Sequence, residues 1–235
     1  MIDIKILYED NHLIAVYKPA GILVIAGQEG HNDDTLYWQL KQFIKERDQK
    51  PGNVFLGVLH RLDRPVSGIV IFAKTSKGAA RLSEQFRERT IEKTYQAVIQ
   101  GKMEPSSGTL RNVIRQDINA KKAIEDPEGN EAVLHYETLS SKGERSLLKI
   151  QLETGRYHQI RAQLALAGHP IVGDVKYGYP EALPDKSIML CAVELSFETA
   201  TSGERKTITI SAPESWSRFA PSDSSDIKSR ILDSQ

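Results

Sequence analysis

Cysteine is nearly absent from this chain. Cys191 is the single one in 235 residues, which excludes an internal disulfide framework; with no metal-ligand spacing around it, it reads as a small apolar strand residue and no metal is expected. Long apolar runs are missing too. Nowhere do about 18 apolar residues follow one another, so no membrane-spanning helix is expected. No basic segment leading into a short apolar run opens the sequence, so no export leader is expected and the predicted location is cytoplasmic. Charge of one sign is also lacking: Lys and Arg number 31 against 31 Asp and Glu. A neutral molecule has no global field with which to attract a polyanion.

The balance conceals an uneven distribution. Residues 60–122 carry 13 basic and 6 acidic side chains, a surplus of 7, whereas 1–59 carry 6 and 8, and 123–235 carry 12 and 17. A local basic field can hold phosphates on a neutral protein. Charge alone favours the plainer reading, in which Lys77, Arg81, Arg87 and Arg89 solvate a helix face. Hydrophobic and charged fractions of 40% and 26% fit one large globular domain, predicted over residues 1–219. The Ser/Asp-rich residues 220–235 read as a mobile tail.

Short apolar runs dominate the pattern. Ile2–Leu7, Leu13–Tyr17, Val54–Leu59, Ile69–Ala73 and Lys93–Ile99 predict strands, and Ala132–Leu139 with Arg145–Leu152 predicts a hairpin. Ile188–Phe197 and Thr207–Ile210 predict a last strand pair. Helices are predicted after Asp33 or Asp34, from a Ser76 cap to about Arg87, and over Tyr157–Ala167, which Gly168 and Pro170 end. Residues 103–131 read as a long loop or short hairpin. Many strands with a few helices among them make the class α+β.

Three features invite a site. Asp63 sits between Arg61 and Arg64 in the polar connection His60–Gly68, where Pro65 disfavours helix and strands hold both ends. Tyr95 lies in the strand Lys93-Thr94-Tyr95-Gln96-Ala97. His158 and Arg161 fall one turn apart on a helix, opposite Ile160 and Leu164. A carboxylate, an aromatic ring and a guanidinium suit a reaction on a flat, neutral or anionic substrate. Each also has an ordinary counterpart: a surface ion pair worth ~0–1 kcal/mol, a core tyrosine, a solvated arginine. These residues alone do not name the reaction.

Their context does more. His60-Arg61-Leu62-Asp63, then Ser67-Gly68, an apolar strand and Ala73-Lys74, resembles the signature loop of the RluA family of RNA pseudouridine synthases. Lys18-Pro19-Ala20-Gly21 resembles that family's Lys-Pro-x-Gly turn, and Lys93-x-Tyr95-x-Ala97 its Lys-x-Tyr-x-Ala strand. Gly155-Arg156-Tyr157-His158-Gln159-Ile160-Arg161, then Gly173-Asp174 and Tyr177-Gly178, resembles its last two blocks. Four blocks in order over roughly residues 5–215 are specific where one would not be. Val66, Tyr157 and Cys191 depart from the family pattern, which bears on RNA choice more than on catalysis.

The resemblance implies a pseudouridine synthase fold: a mixed, mostly antiparallel central sheet flanked by a few helices, with a catalytic cleft across the sheet. It also implies a stand-alone catalytic domain without the S4-like RNA-binding domain of many relatives. The implied catalyst is Asp63, as nucleophile or as base, with Arg161 orienting it and Tyr95 stacked on a flipped uracil. Arg61, Arg64, Lys74, Lys77, Arg81, Lys93 and Arg156 become candidate RNA-backbone contacts; His60 and His158 become structural supports. The implied partner is ribosomal or transfer RNA, acted on by a monomer with no cofactor. Two other classes compete. A non-enzymatic RNA-binding factor has no chemical need for Asp63, Tyr95 and Arg161 together. A hydrolase built on His60 and Asp63 lacks a serine or cysteine nucleophile in the loop.

Overall fold

The runs rich in β-branched residues become strands almost everywhere the pattern predicts them. The computed structural model describes residues 3–26 and 34–218. In chain order these form β1 (Ile6–Glu9), β2 (Leu13–Lys18), α1 (Leu36–Arg47), β3 (Gly57–Val58), β4 (Ser67–Ala73), α2 (Ser76–Glu88), β5 (Glu92–Gln100), β6 (Ser107–Asp117), β7 (Lys122–Glu125), β8 (Asn130–Lys142), β9 (Arg145–Leu152), α3 (Gln159–Leu166), β10 (Leu190–Glu198) and β11 (Arg205–Thr209). The class is α+β, with mixed, mostly antiparallel strand pairing. The chain divides into two compact units. One takes Met1–Thr94, Pro184–Ser187 and Cys191–Ile210; the other takes Tyr95–Leu183, Ile188–Leu190 and Ser211–Gln235.

In the first unit the strand order is β1-β2-β4-β10, with β3 on β4 and β11 on β10. β10 runs parallel to β4, and the other pairs are antiparallel. Every residue of β4 is buried, which is why its sequence reads as a continuous apolar run rather than an alternation. Leu13, Ile69, Ile71, Leu82, Leu195 and Phe197 form the core between this sheet and α2. Gly68 is obligatory here. Its φ is 128°, and a Cβ would stand 2.4 Å from the Ala192 carbonyl oxygen of the parallel partner strand.

In the second unit the order is β5-β9-β8-β6-β7, and β9-β8-β6-β7 is an antiparallel run. Of the two readings of residues 103–131, the hairpin holds and the long loop does not: the four-residue β7 folds back on the end of β6, whose 11 residues also pair with β8. The apolar alternation of β6 is broken by Asn112, whose inward side chain accepts from the buried Gln163 Nε2 at 2.9 Å. A polar residue that faces a helix amide looks like loop composition in the sequence.

Two helix starts are also corrected. Thr35 caps α1 and Thr75 caps α2, each hydroxyl accepting from the amide three residues on. Asp34 therefore lies one residue before its cap and Ser76 is the first helical residue; Asp33 lies outside the described residues, as do residues 220–235.

Candidate active site

Asp63 belongs to the first unit, on a tight turn in which its carbonyl accepts from the Val66 amide at 3.1 Å. The turn is stitched to the Lys18–Ile22 segment. Gly21 N–H donates to the Arg64 carbonyl at 2.7 Å, and Arg64 Nε donates to the Gly21 carbonyl at 2.8 Å. Lys18 completes the stitch from beneath. Its ammonium is 0% exposed and donates to the carbonyls of Pro19, Ile22 and Arg64 at 3.0, 2.8 and 3.3 Å. Burial pulls the Lys18 pKa down to about 7; the Asp63 carboxylate opposes that shift and Arg64 adds to it. Lys18 opens the Lys-Pro-x-Gly turn, a motif that by itself gives the lysine no role. The available signal is a lysine ending the run Leu13-Ile14-Ala15-Val16-Tyr17, a place where it must enter the interior.

The far side of the loop is held by His60. Its Nε2 accepts from the Ile71 amide of β4 at 3.0 Å, which requires that nitrogen to be unprotonated and puts the ring proton on Nδ1. Burial, then the nearby Lys93 charge, depresses the His60 pKa to about 3. Behind the loop, Cys191 pairs with Ser67 in the β4–β10 register, and burial pushes its thiol up to about 11.

Tyr95 and Arg161 belong to the second unit. Tyr95 is buried on β5. The alternative of a solvated arginine is excluded at Arg161, for Gln159, Ile160, Arg161, Ala162, Gln163 and Leu164 are all buried. Two glutamines fasten the helix to the sheet beneath. Gln159 Nε2 donates to the Val133 carbonyl at 3.0 Å, and Gln163 Nε2 donates to the Leu110 and Ala132 carbonyls, each at 3.1 Å. Arg161 Nε and Nη2 donate to the two carboxylate oxygens of Asp174 at 2.7 and 2.9 Å. The guanidinium also lies over the Tyr177 ring, 4.9 Å from its centroid.

His158, predicted inside the helix, lies just before it. It stands at the N-cap of α3 in the left-handed region, with φ 50°. Its ring stacks on Tyr157 at 3.9 Å, and Nδ1 lies 2.9 Å from the Tyr177 hydroxyl. That hydroxyl also accepts from the Ala123 amide at 2.6 Å.

The predicted backbone contacts separate by exposure. Arg61, Arg64, Lys77, Arg81 and Arg156 are exposed. Lys74 is ion-paired with Glu9 and donates to the Asp10 carbonyl. Lys93 lies over Phe86, and burial lowers its pKa. A polar cleft lined by Ser107, Thr109, His135, Glu137 and Lys149 holds none of the predicted site residues. Among the described residues, no group of three His, Cys, Asp or Glu side chains is placed to hold a metal ion, and no helix is long and apolar enough to cross a membrane.

Residues 12–166 match the family model described as RNA pseudouridylate synthase. The "Ribosomal large subunit pseudouridine synthase D" of Nitrosomonas europaea is 36% identical over 194 residues, covering 83% of this chain and 55% of that protein. The "tRNA pseudouridine synthase C" of Vibrio parahaemolyticus is 31% identical over 241 residues, covering 93% and 94%. Over several such relatives the chain spans only 54–71% of their lengths. Among solved structures, human RNA Pseudouridylate Synthase Domain Containing 4 superposes with a TM-score of 0.74 at 25% identity, covering 90% of each chain.

Proposed function

The chain belongs to the RNA pseudouridylate synthase family of isomerases, and from that premise we propose that it converts a uridine of structured RNA to pseudouridine with Asp63 as the catalytic group. The reaction breaks the N1–C1′ bond, turns the uracil and makes a C5–C1′ bond; C5 loses a proton and N1 gains one. Atoms and electrons balance within the nucleotide, so the chemistry asks for a placed carboxylate and a desolvated, oriented base rather than for an oxidant or an activated co-substrate.

The observation that carries this reading is the stitching of the Asp63 turn. Hydrogen bonds from Lys18 and Gly21, with a return bond from Arg64, fix the backbone beside Asp63 against a second segment. A catalytic group gains from such rigidity because misplacement by about 1 Å can cost a hundredfold in rate. In this reading Arg161, bonded through Nε and Nη2 to Asp174, orients the catalytic carboxylate. Tyr95 stacks on the extruded uracil, a contribution of ~1–3 kcal/mol. Unstacking the target uridine costs a few kcal/mol, offset by backbone contacts from the exposed Arg61, Arg64, Lys77, Arg81 and Arg156.

Ribosomal and transfer RNA are both candidate substrates. The transfer-RNA relative is matched over 94% of its length and the ribosomal one over 55%, so transfer RNA comes first. We assign the activity to a monomer in the cytoplasm. The test is tritium release from C5-labelled uridine in transfer and ribosomal transcripts. Asp63→Asn is expected to abolish release while still binding the RNA; normal release by that variant would remove Asp63 from the mechanism.

A further inference from the structure

Arg161 is unusual among the arginines of this protein in how completely its surroundings specify it. The guanidinium and the Asp174 carboxylate are 5% and 1% exposed. Two parallel hydrogen bonds join them, a geometry that fixes the plane of the fork as well as its position. The Tyr177 ring covers one face of that plane. Tyr177 is itself anchored by the Ala123 amide and by His158 Nδ1.

Asp174 sits in a turn that closes on itself. Its amide donates to the Ile171 carbonyl at 2.9 Å, and its carbonyl accepts from the amides of Tyr177 and Tyr179 at 3.0 and 3.1 Å. Carboxylate and ring thus arrive from one short rigid segment, with Gly173 and Gly178 at φ 86° and 98° making the bends.

We propose that Asp174 is a positioning residue for catalysis, which acts through Arg161 by fixing the place and plane of its guanidinium. The inference rests on the role given to Arg161 above. Two geometric facts favour it over a purely structural ion pair. A bidentate pair through Nε and Nη2 fixes rotation of the planar guanidinium about Cδ–Nε, which a single contact does not. The Tyr177 ring packs against the same guanidinium, so the carboxylate and the ring restrain one group from two sides.

The test measures kcat and KM for tritium release by Asp174→Asn, Arg161→Lys and the double variant, with circular dichroism to confirm folding. Asp174→Asn keeps the shape and one acceptor but loses the matched pair. Its kcat is expected to fall at least tenfold with KM within about threefold, and the double variant to be no slower than Arg161→Lys alone. Additive losses, or a loss confined to KM, would overturn the proposal. Should Asp174→Asn fail to fold, Tyr177→Phe carries the test: it keeps the ring and removes the anchored hydroxyl, and a kcat equal to the parent's would overturn the proposal. The two readings fail differently. Full activity in Arg161→Lys and Arg161→Ala would remove Arg161 from the mechanism, whereas inactive Arg161 variants beside a fully active Asp174→Asn would sink only the present inference.

Discussion

Lys18 and Arg161 are both cations withdrawn from water, and the protein holds them in opposite ways. Lys18 meets three backbone carbonyls. Carbonyl dipoles accept from a neutral amine as well as from an ammonium, and burial brings the proton equilibrium down to about 7. Arg161 meets a full negative charge and an aromatic face, and a guanidinium does not give up its proton under such conditions. The lysine is therefore a stitch whose charge is negotiable. The arginine is a charge whose direction is fixed. A loop backbone gathered through its carbonyls and a helix bonded to a buried carboxylate call for these two different residues.

The largest effect is expected from breaking the arginine side of the comparison. Arg161→Met leaves Asp174 buried and unpaired and should cost about 3–5 kcal/mol in denaturant unfolding, while adding Asp174→Leu should restore most of that stability. A single variant as stable as the parent would mean the pair does not hold α3 to the 171–178 turn.

Lys18→Met should cost less, about 1–3 kcal/mol, because it strips donors from neutral carbonyls rather than stranding a charge. Its pH dependence sharpens the contrast. Between the folded pKa of about 7 and the ordinary value of 10.5, the unfolded chain binds the proton that the folded chain has released. The parent's stability relative to Lys18→Met should therefore rise as pH climbs through that window, and the gain should be lost as pH falls to about 7. Urea unfolding from pH 6 to 10 checks this, and a flat difference would contradict it.

The smallest effect on folding is expected at an exposed cation. Lys77→Ala should stay within about 0.5 kcal/mol of the parent, yet weaken binding to all RNAs alike and reduce the salt slope by about 1 if the side chain meets a phosphate. Filter binding across a salt series separates the two effects.

Strands whose burial is one-sided or complete, such as β4 and β9, are legible in the sequence because the hydrophobic pattern is the packing. β6 is not legible, since Asn112 and the carbonyls of Leu110 and Ala132 serve Gln163 rather than an apolar partner. For the same reason α3 reads as half solvated: Gln159, Arg161 and Gln163 look like a water-facing side until their acceptors are known. The motifs bring Lys18, Asp174 and Tyr177 into view, but their roles depend on contacts with residues 13 to 54 positions away. No local pattern encodes such distances. Thr35 and Thr75 show the finer limit, since adjacent hydroxyl and carboxylate residues compete for one cap position and only backbone geometry decides between them.

The ring of His60 has a bearing on what the loop cannot be. A proton-abstracting imidazole needs an electron pair directed at a substrate, and here the pair on Nε2 is already committed to the Ile71 amide while the other nitrogen carries the hydrogen. With protonation deferred to a pH of about 3, this imidazole neither collects nor releases a proton near neutrality. A hydrolytic dyad of His60 and Asp63 would first have to tear a strand amide from its acceptor.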